Sequence, residues 1–108
     1  MPTTYKVLGQ SVPTANTQTT IYTVPSATQA VISTINVCNL SGSNALFRIA
    51  IRVANATLTN SQYLAYDTAL PSNDAIAITT GITLGNSDVI SVYATANVSF
   101  NIFGSELT

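Results

Sequence analysis

Ala45-Leu46-Phe47-Arg48-Ile49-Ala50-Ile51-Arg52-Val53 is the stretch that decides the fold. In an extended chain, Phe47, Ile49, Ile51 and Val53 fall on one side and Arg48, Ala50 and Arg52 on the other. A period of two with charge confined to one side is a half-buried β-strand. Val98-Ser99-Phe100-Asn101-Ile102 repeats the pattern, with Val98, Phe100 and Ile102 inward.

Outward from these two runs, Thr, Val, Ile and Tyr dominate and helix-favouring residues are scarce. Short β-prone segments are expected at about Tyr5–Leu8, Thr19–Val24, Gln29–Cys38, Ala45–Val53, Gln62–Tyr66, Ala75–Thr80, Val89–Thr95 and Val98–Phe103. Turn chemistry falls between them: Pro25-Ser26-Ala27-Thr28, Leu40-Ser41-Gly42-Ser43-Asn44, Pro71-Ser72-Asn73-Asp74 and Gly85-Asn86-Ser87-Asp88. The expectation is an all-β fold: one antiparallel β-sandwich, jelly-roll or Ig-like, of about 7–8 strands. It spans residues 1–108 as a single domain, with 1–18 as an N-terminal arm or edge strand.

Composition narrows the function. Of 108 residues, 46 % are hydrophobic, enough for an ordered core, but only 6 % are charged. An average globular protein carries roughly 25 %. A surface of Ser, Thr, Asn and Ala repels its neighbours weakly, which suits packing against other subunits. The cations are Lys6, Arg48 and Arg52, too few and too scattered to track nucleic-acid phosphates. Mean hydropathy is +0.35, yet no apolar run approaches the ~18–20 residues that span a bilayer. Met1–Lys6 lacks the charged stretch and apolar core of a signal peptide, so the expectation is use without secretion by that route.

Chemistry is sparse. The lone cysteine, Cys38, lies in an apolar run and reads as a buried small hydrophobe, and no histidine is present to serve as its base. Asp67, Asp74, Asp88 and Glu106 are the carboxylates; each Asp sits where a turn is expected anyway. No catalytic residue and no cofactor are expected. Asp67, Asn73 and Asp74 are the hard-oxygen set that a calcium ion would use. Asn39-Leu40-Ser41, Asn55-Ala56-Thr57 and Asn97-Val98-Ser99 match the glycosylation pattern at the rate chance supplies. A sugar platform needs aromatics on one surface. Tyr63 and Tyr66, three apart, are expected on opposite faces of a strand, and Tyr22 and Tyr93 at the core or its boundary. Arg48 and Arg52 share one face about 13 Å apart at the usual strand rise. That face reads either as a solvated outer face or, with charge so scarce, as a contact surface.

Four stretches carry a resemblance: Thr20-Ile21-Tyr22-Thr23-Val24-Pro25; Val31 to Asn39, followed after a polar turn by Phe47 to Arg52; Tyr63-Leu64-Ala65-Tyr66-Asp67; and Gly81-Ile82-Thr83-Leu84 through Asp88-Val89-Ile90 and Val92-Tyr93-Ala94 to Val98-Ser99-Phe100 and Phe103-Gly104-Ser105-Glu106. Together they cover most of the chain from residue 19 onward. In these the chain resembles a family of small virion proteins of tailed bacteriophages, including phages of cyanobacteria. The resemblance implies a sandwich in a virion, made in the host cytoplasm. Its members decorate capsids or sit in necks, tails, fibres and baseplates. The expectation is a non-enzymatic capsid decoration (cement) protein that contacts the major capsid protein and copies of itself. A tail, fibre or baseplate component that binds host surface glycan is the alternative. Neither nucleic acid nor membrane is an expected partner. The contact residues are expected to be Tyr5, Lys6, Arg48, Arg52, Phe103 and Glu106, with Tyr5–Gln10 and Gly104–Thr108 packing on neighbouring subunits.

Overall fold

The computed structural model describes residues 3–79 and 81–108. Among the described residues, nine strands form two antiparallel sheets: β1 (Thr3–Ser11), β2 (Thr19–Thr23), β3 (Gln29–Asn39), β4 (Ala45–Arg52), β5 (Tyr63–Leu70), β6 (Ala75–Ile78), β7 (Ile82–Leu84), β8 (Val89–Ala94) and β9 (Val98–Leu107). The first sheet runs β1-β9-β3-β6, with β7 on the same side of β3 as β6; the second runs β2-β8-β4-β5. The pairs are nested: β4 with β5, β3 with β6 and β7, β2 with β8, and β1 with β9. One long hairpin has rolled over itself, which also brings β9 beside β3 and β8 beside β4. Of the two sandwich orders expected, this is the jelly roll.

The sequence boundaries hold to within a few residues for most strands, with four differences, the first being that the run read as Gln62–Tyr66 is β5 and continues to Leu70. The run read as Ala75–Thr80 is β6, ending at Ile78, and Thr80 lies outside the described residues; β7 follows after Gly81 at φ +63°. The last strand continues to Leu107 because β1 and β3 pair along both its sides. Val53 leaves β4 for a short 3-10 turn (Val53–Asn55) and is 63 % exposed rather than inward.

The core lies between the sheets. Ile32, Ile35, Val37, Phe100 and Ile102 from the first meet Phe47, Ile49, Ile90 and Val92 from the second. Phe47 and Phe100 meet edge to face across the gap, centroids 6.2 Å apart. The inward phase of β3 changes along its length, from Ala30 and Ile32 to Ile35 and Val37, because Ser33 is an extra residue opposite β9. Leu8 of β1 makes a matching bulge on the other side of β9. Gly104 fits at this double bulge because a Cβ there would sit 2.0 Å from the Val31 carbonyl oxygen. Cys38, on the outward phase of β3, is half-buried rather than a core residue.

Asn39 ties one end of the roll. It is 1 % exposed, and its Nδ2 lies 2.9, 3.0 and 3.2 Å from the carbonyl oxygens of Ser43, Leu70 and Pro71. Its Oδ1 accepts from the Ser41 backbone N–H and hydroxyl. One side chain therefore fixes the β3–β4 and β5–β6 turns to each other.

Candidate functional site

The outer face of the second sheet holds the most organised group of polar and aromatic side chains. Arg48 of β4 stands in register with Tyr93 of β8, and β5 runs along its other side. Its guanidinium carbon lies 4.3 Å from the ring centroid of Tyr93 and 4.3 Å from that of Tyr66. A cation between two aromatic faces is held by both ring quadrupoles. Nε and Nη2 donate to Asp67 Oδ1 and Oδ2 at 2.7 and 3.3 Å, a fork that holds the guanidinium in its charged form. The Tyr93 hydroxyl donates to Asn16 Oδ1 at 3.1 Å, and the Asn16 N–H donates to the Ala94 carbonyl, fastening the β1–β2 loop.

Tyr63 and Tyr66 correct the sequence reading. They lie together, rings edge to face with centroids 4.8 Å apart. β5 carries two bulges, and the one at Leu64, between the two tyrosines, breaks the alternation that would separate them. Phe47 pairs with Thr68, Ile49 with Ala65, and Ala50 with Tyr63, so β5 spends two residues on one of β4 at each step. Asp67 takes up the first bulge with φ +49°, a left-handed conformation that Asp tolerates. Of the two tyrosines expected at the core or its boundary, Tyr22 is a core residue and Tyr93 is half-buried on this outer face.

The loop between β4 and β5 walls the group. Arg52 anchors it, donating from Nε to the Ala56 carbonyl at 2.8 Å and from Nη2 to Asn55 Oδ1 at 2.9 Å. Asp88 Oδ1 accepts from the Ala54 N–H at 2.8 Å. A second short 3-10 turn (Asn60–Gln62) begins with Thr59, whose N–H donates to Gln62 Oε1. Leu58 of this loop, Gln18 of the β1–β2 loop and Arg48, Tyr63, Ser91 and Tyr93 of β4, β5 and β8 line a cleft of about 160 Å³. A hollow of about 310 Å³ between Asn60, Tyr63 and Tyr66 adjoins it through Tyr63.

The expected contact residues divide into three places. Tyr5 and Phe103 lie on the outer face of the first sheet, beside Val7, Val31, Ser33 and Ser105. Lys6 and Glu106 form an ion pair at 2.9 Å, and Tyr22 donates its hydroxyl to the same carboxylate at 2.5 Å. Those bonds hold Glu106 below the usual carboxylate range, while burial and that carboxylate push Tyr22 above its usual 10. Arg48 and Arg52 stand on the outer face of the second sheet. Tyr5–Gln10 and Gly104–Leu107 lie on strands that pair with each other within the chain, leaving β1 as the terminal strand of its sheet.

All four carboxylate side chains accept hydrogen bonds. Asp67 takes Arg48; Asp74 takes the Ala75 N–H; Asp88 takes the Gly85 and Ala54 N–H groups; Glu106 takes Tyr22 and Lys6. Of the calcium set, Asp67 lies in β5, while Asn73 and Asp74 lie in the turn beyond it. Among the described residues no three His, Cys, Asp or Glu side chains gather. The tyrosine group had one legible signal: Arg48, a cation inside a strand, calls for a carboxylate across the ladder, and Asp67 is the candidate.

No protein-family model matches the sequence, and no curated protein matches it. Among solved structures, a chain in the structure of infectious bursal disease virus Gx strain is similar, with a TM-score of 0.53 and 11 % identity. The match covers 97 % of this chain and 31 % of that one, so this chain spans about a third of that protein's length. The likeness is one of fold.

Proposed function

We propose that this chain is a non-enzymatic virion structural protein, and that it decorates the capsid of a tailed phage by binding the major capsid protein and copies of itself. The observation that carries this reading is the outer face of the first sheet. Tyr5 is 83 % exposed, Val7 47 % and Val31 38 %, around a shallow groove floored by Phe103. Lys6, the one charged residue that lines the groove, is paired with Glu106 at 2.9 Å. An apolar surface with little charge gains by being covered, and high copy number multiplies weak contacts. The terminal strand β1 adds a row of backbone groups that another chain can pair with. The jelly roll shared with a chain of a virus structure supports the setting at the level of architecture, and the engagement of every carboxylate supports a role without catalysis.

The test is immunogold labelling of intact particles with antibody to this protein, viewed by electron microscopy. Gold over the head at high copy is the expected result. Gold confined to the tail transfers the chain to the tail, fibre or baseplate. Particles without gold, from cells that make the protein, overturn the virion reading.

A further inference from the structure

We propose that the tyrosine-lined cleft on the outer face of the second sheet is a binding site for a neutral oligosaccharide. The inference stands on the cleft alone and does not depend on where in a particle the chain resides.

Three features of the cleft point to this ligand. Tyr66 is 55 % exposed and packed edge to face with Tyr63, so an accessible aromatic surface is held in one orientation. Sugar rings offer C–H faces that settle on such a surface. Next, Gln18 and Asn60 line the two adjoining hollows. A side-chain amide both donates and accepts, which is what a hydroxyl requires of its partner. Finally, the one cation in the cleft, Arg48, already has its counterion in Asp67 at 2.7 Å and is stacked by Tyr66 and Tyr93. An anionic ligand would compete with Asp67 for it, whereas a neutral one finds the pair ready to orient hydroxyl groups.

The cleft is also built in advance. The loop that carries Leu58 is held by Arg52 and Asp88 through the bonds to Asn55, Ala56 and Ala54, and Arg48 by its fork to Asp67. A ligand entering it does not have to order the loop first, which lowers the cost of binding. A planar nucleobase would also stack on Tyr66, but a nucleotide's phosphate would find no uncommitted cation among the lining residues.

The test uses the full chain, titrated separately with maltohexaose, cellohexaose, mannohexaose, chitohexaose and, as the anionic comparator, hexagalacturonate. Tyrosine fluorescence and amide chemical shifts are followed, the chain having no tryptophan to mask the tyrosines. At least one neutral oligosaccharide should bind below about 10 mM and move the amides around Tyr63, Tyr66 and Asn60. Tyr66→Ala should weaken it by about tenfold or more, a loss of roughly 1.4 kcal/mol, and Asn60→Ala by a smaller factor. Tyr66→Phe should retain most of it, and Tyr5→Ala, on the other sheet, all of it. The proposal is overturned if no neutral probe binds, if only hexagalacturonate does, if Tyr66→Ala and Asn60→Ala both bind as well as wild type, or if the shifts map to the Tyr5 and Phe103 face.

Discussion

The two outer faces of this sandwich are made from the same poor alphabet and end as opposites. On the first sheet, Tyr5, Val7, Val31 and Phe103 line an open apolar groove, and the nearby charges of Lys6 and Glu106 are spent on each other and on Tyr22. On the second, both arginines point outward, each fixed by several hydrogen bonds, and a folded-back loop turns a flat sheet into a walled cleft. The difference lies in where the ladders break. Bulges beside β9 serve the closeness of strands in the first sheet; those in β5 gather side chains onto one spot in the second. A plain face fits broad contact, and a bulged, walled face fits recognition of something smaller.

The hardest way to break the first face is Gly104→Ala. The added Cβ would overlap the Val31 carbonyl oxygen, and that contact is with backbone, which cannot rotate away. The expected loss is about 3 kcal/mol or more, read as a fall in the urea midpoint or as loss of soluble protein. An unchanged midpoint would mean that β3 and β9 separate easily here and that the double bulge is not tightly specified.

The corresponding break in the second face is Arg52→Ala. It removes the donors to Ala56 and Asn55, and a loss of about 1–2 kcal/mol is expected. Amide exchange should quicken in residues 53–62 while the β3–β9 ladder keeps its protection. If the loop's exchange is unchanged, Asp88 alone holds it, and the cleft wall does not depend on the arginine.

Between the faces, Glu106 sets an acid limit. Its folded pKa is lowered from the usual 4.5 by the Tyr22 and Lys6 bonds, so the stability it contributes is present above 4.5 and is lost as pH falls through the lower folded value. Melting temperatures followed from pH ~7 to ~2 should drop through that window in the wild type, and less steeply in Glu106→Gln. Equal acid slopes would assign the loss to other carboxylates. Tyr22 works in the other direction: raised above 10, it contributes stability that is present below pH 10 and declines as pH climbs beyond it.

Much of this molecule was legible in its sequence wherever alternation was intact. β4 and the inward side of β9 follow from Phe47, Ile49, Phe100 and Ile102 alone, because a period-two run has one way to bury its apolar side. What was not legible is where alternation fails. Reading β5 as regular put Tyr63 and Tyr66 on opposite faces, and the bulge at Leu64 between them reversed that. Bulges depend on the partner strand, and no single run shows them. Asn39 was hidden for a related reason. Its importance comes from carbonyl groups of Leu70 and Pro71, 31 and 32 residues away, that only the rolled hairpin brings near. Its place in a chance glycosylation pattern says nothing of that. The jelly-roll order was likewise a choice among sandwiches that strand count alone does not make.

The smallest effect on stability is expected from the change that matters most to the proposed contact. Tyr5→Ser combined with Val31→Thr alters side chains that are 83 % and 38 % exposed, so little apolar area returns to water on unfolding. Thr keeps the β-branched shape that a strand favours, and Ser at the terminal strand leaves the β1–β9 ladder intact. The urea midpoint should move by no more than about 0.5 kcal/mol in equivalent stability. Attachment to particles lacking the protein, measured by sedimentation, should nevertheless fall well below wild type, since area that is free in the isolated chain is the area an interface covers. The two readings together decide the matter. A stability loss above about 1 kcal/mol would show that Tyr5 and Val31 support their own sheet. Unchanged stability with unchanged attachment would show that contact with the particle is made elsewhere, leaving the Arg48 and Arg52 face as the surface to vary next.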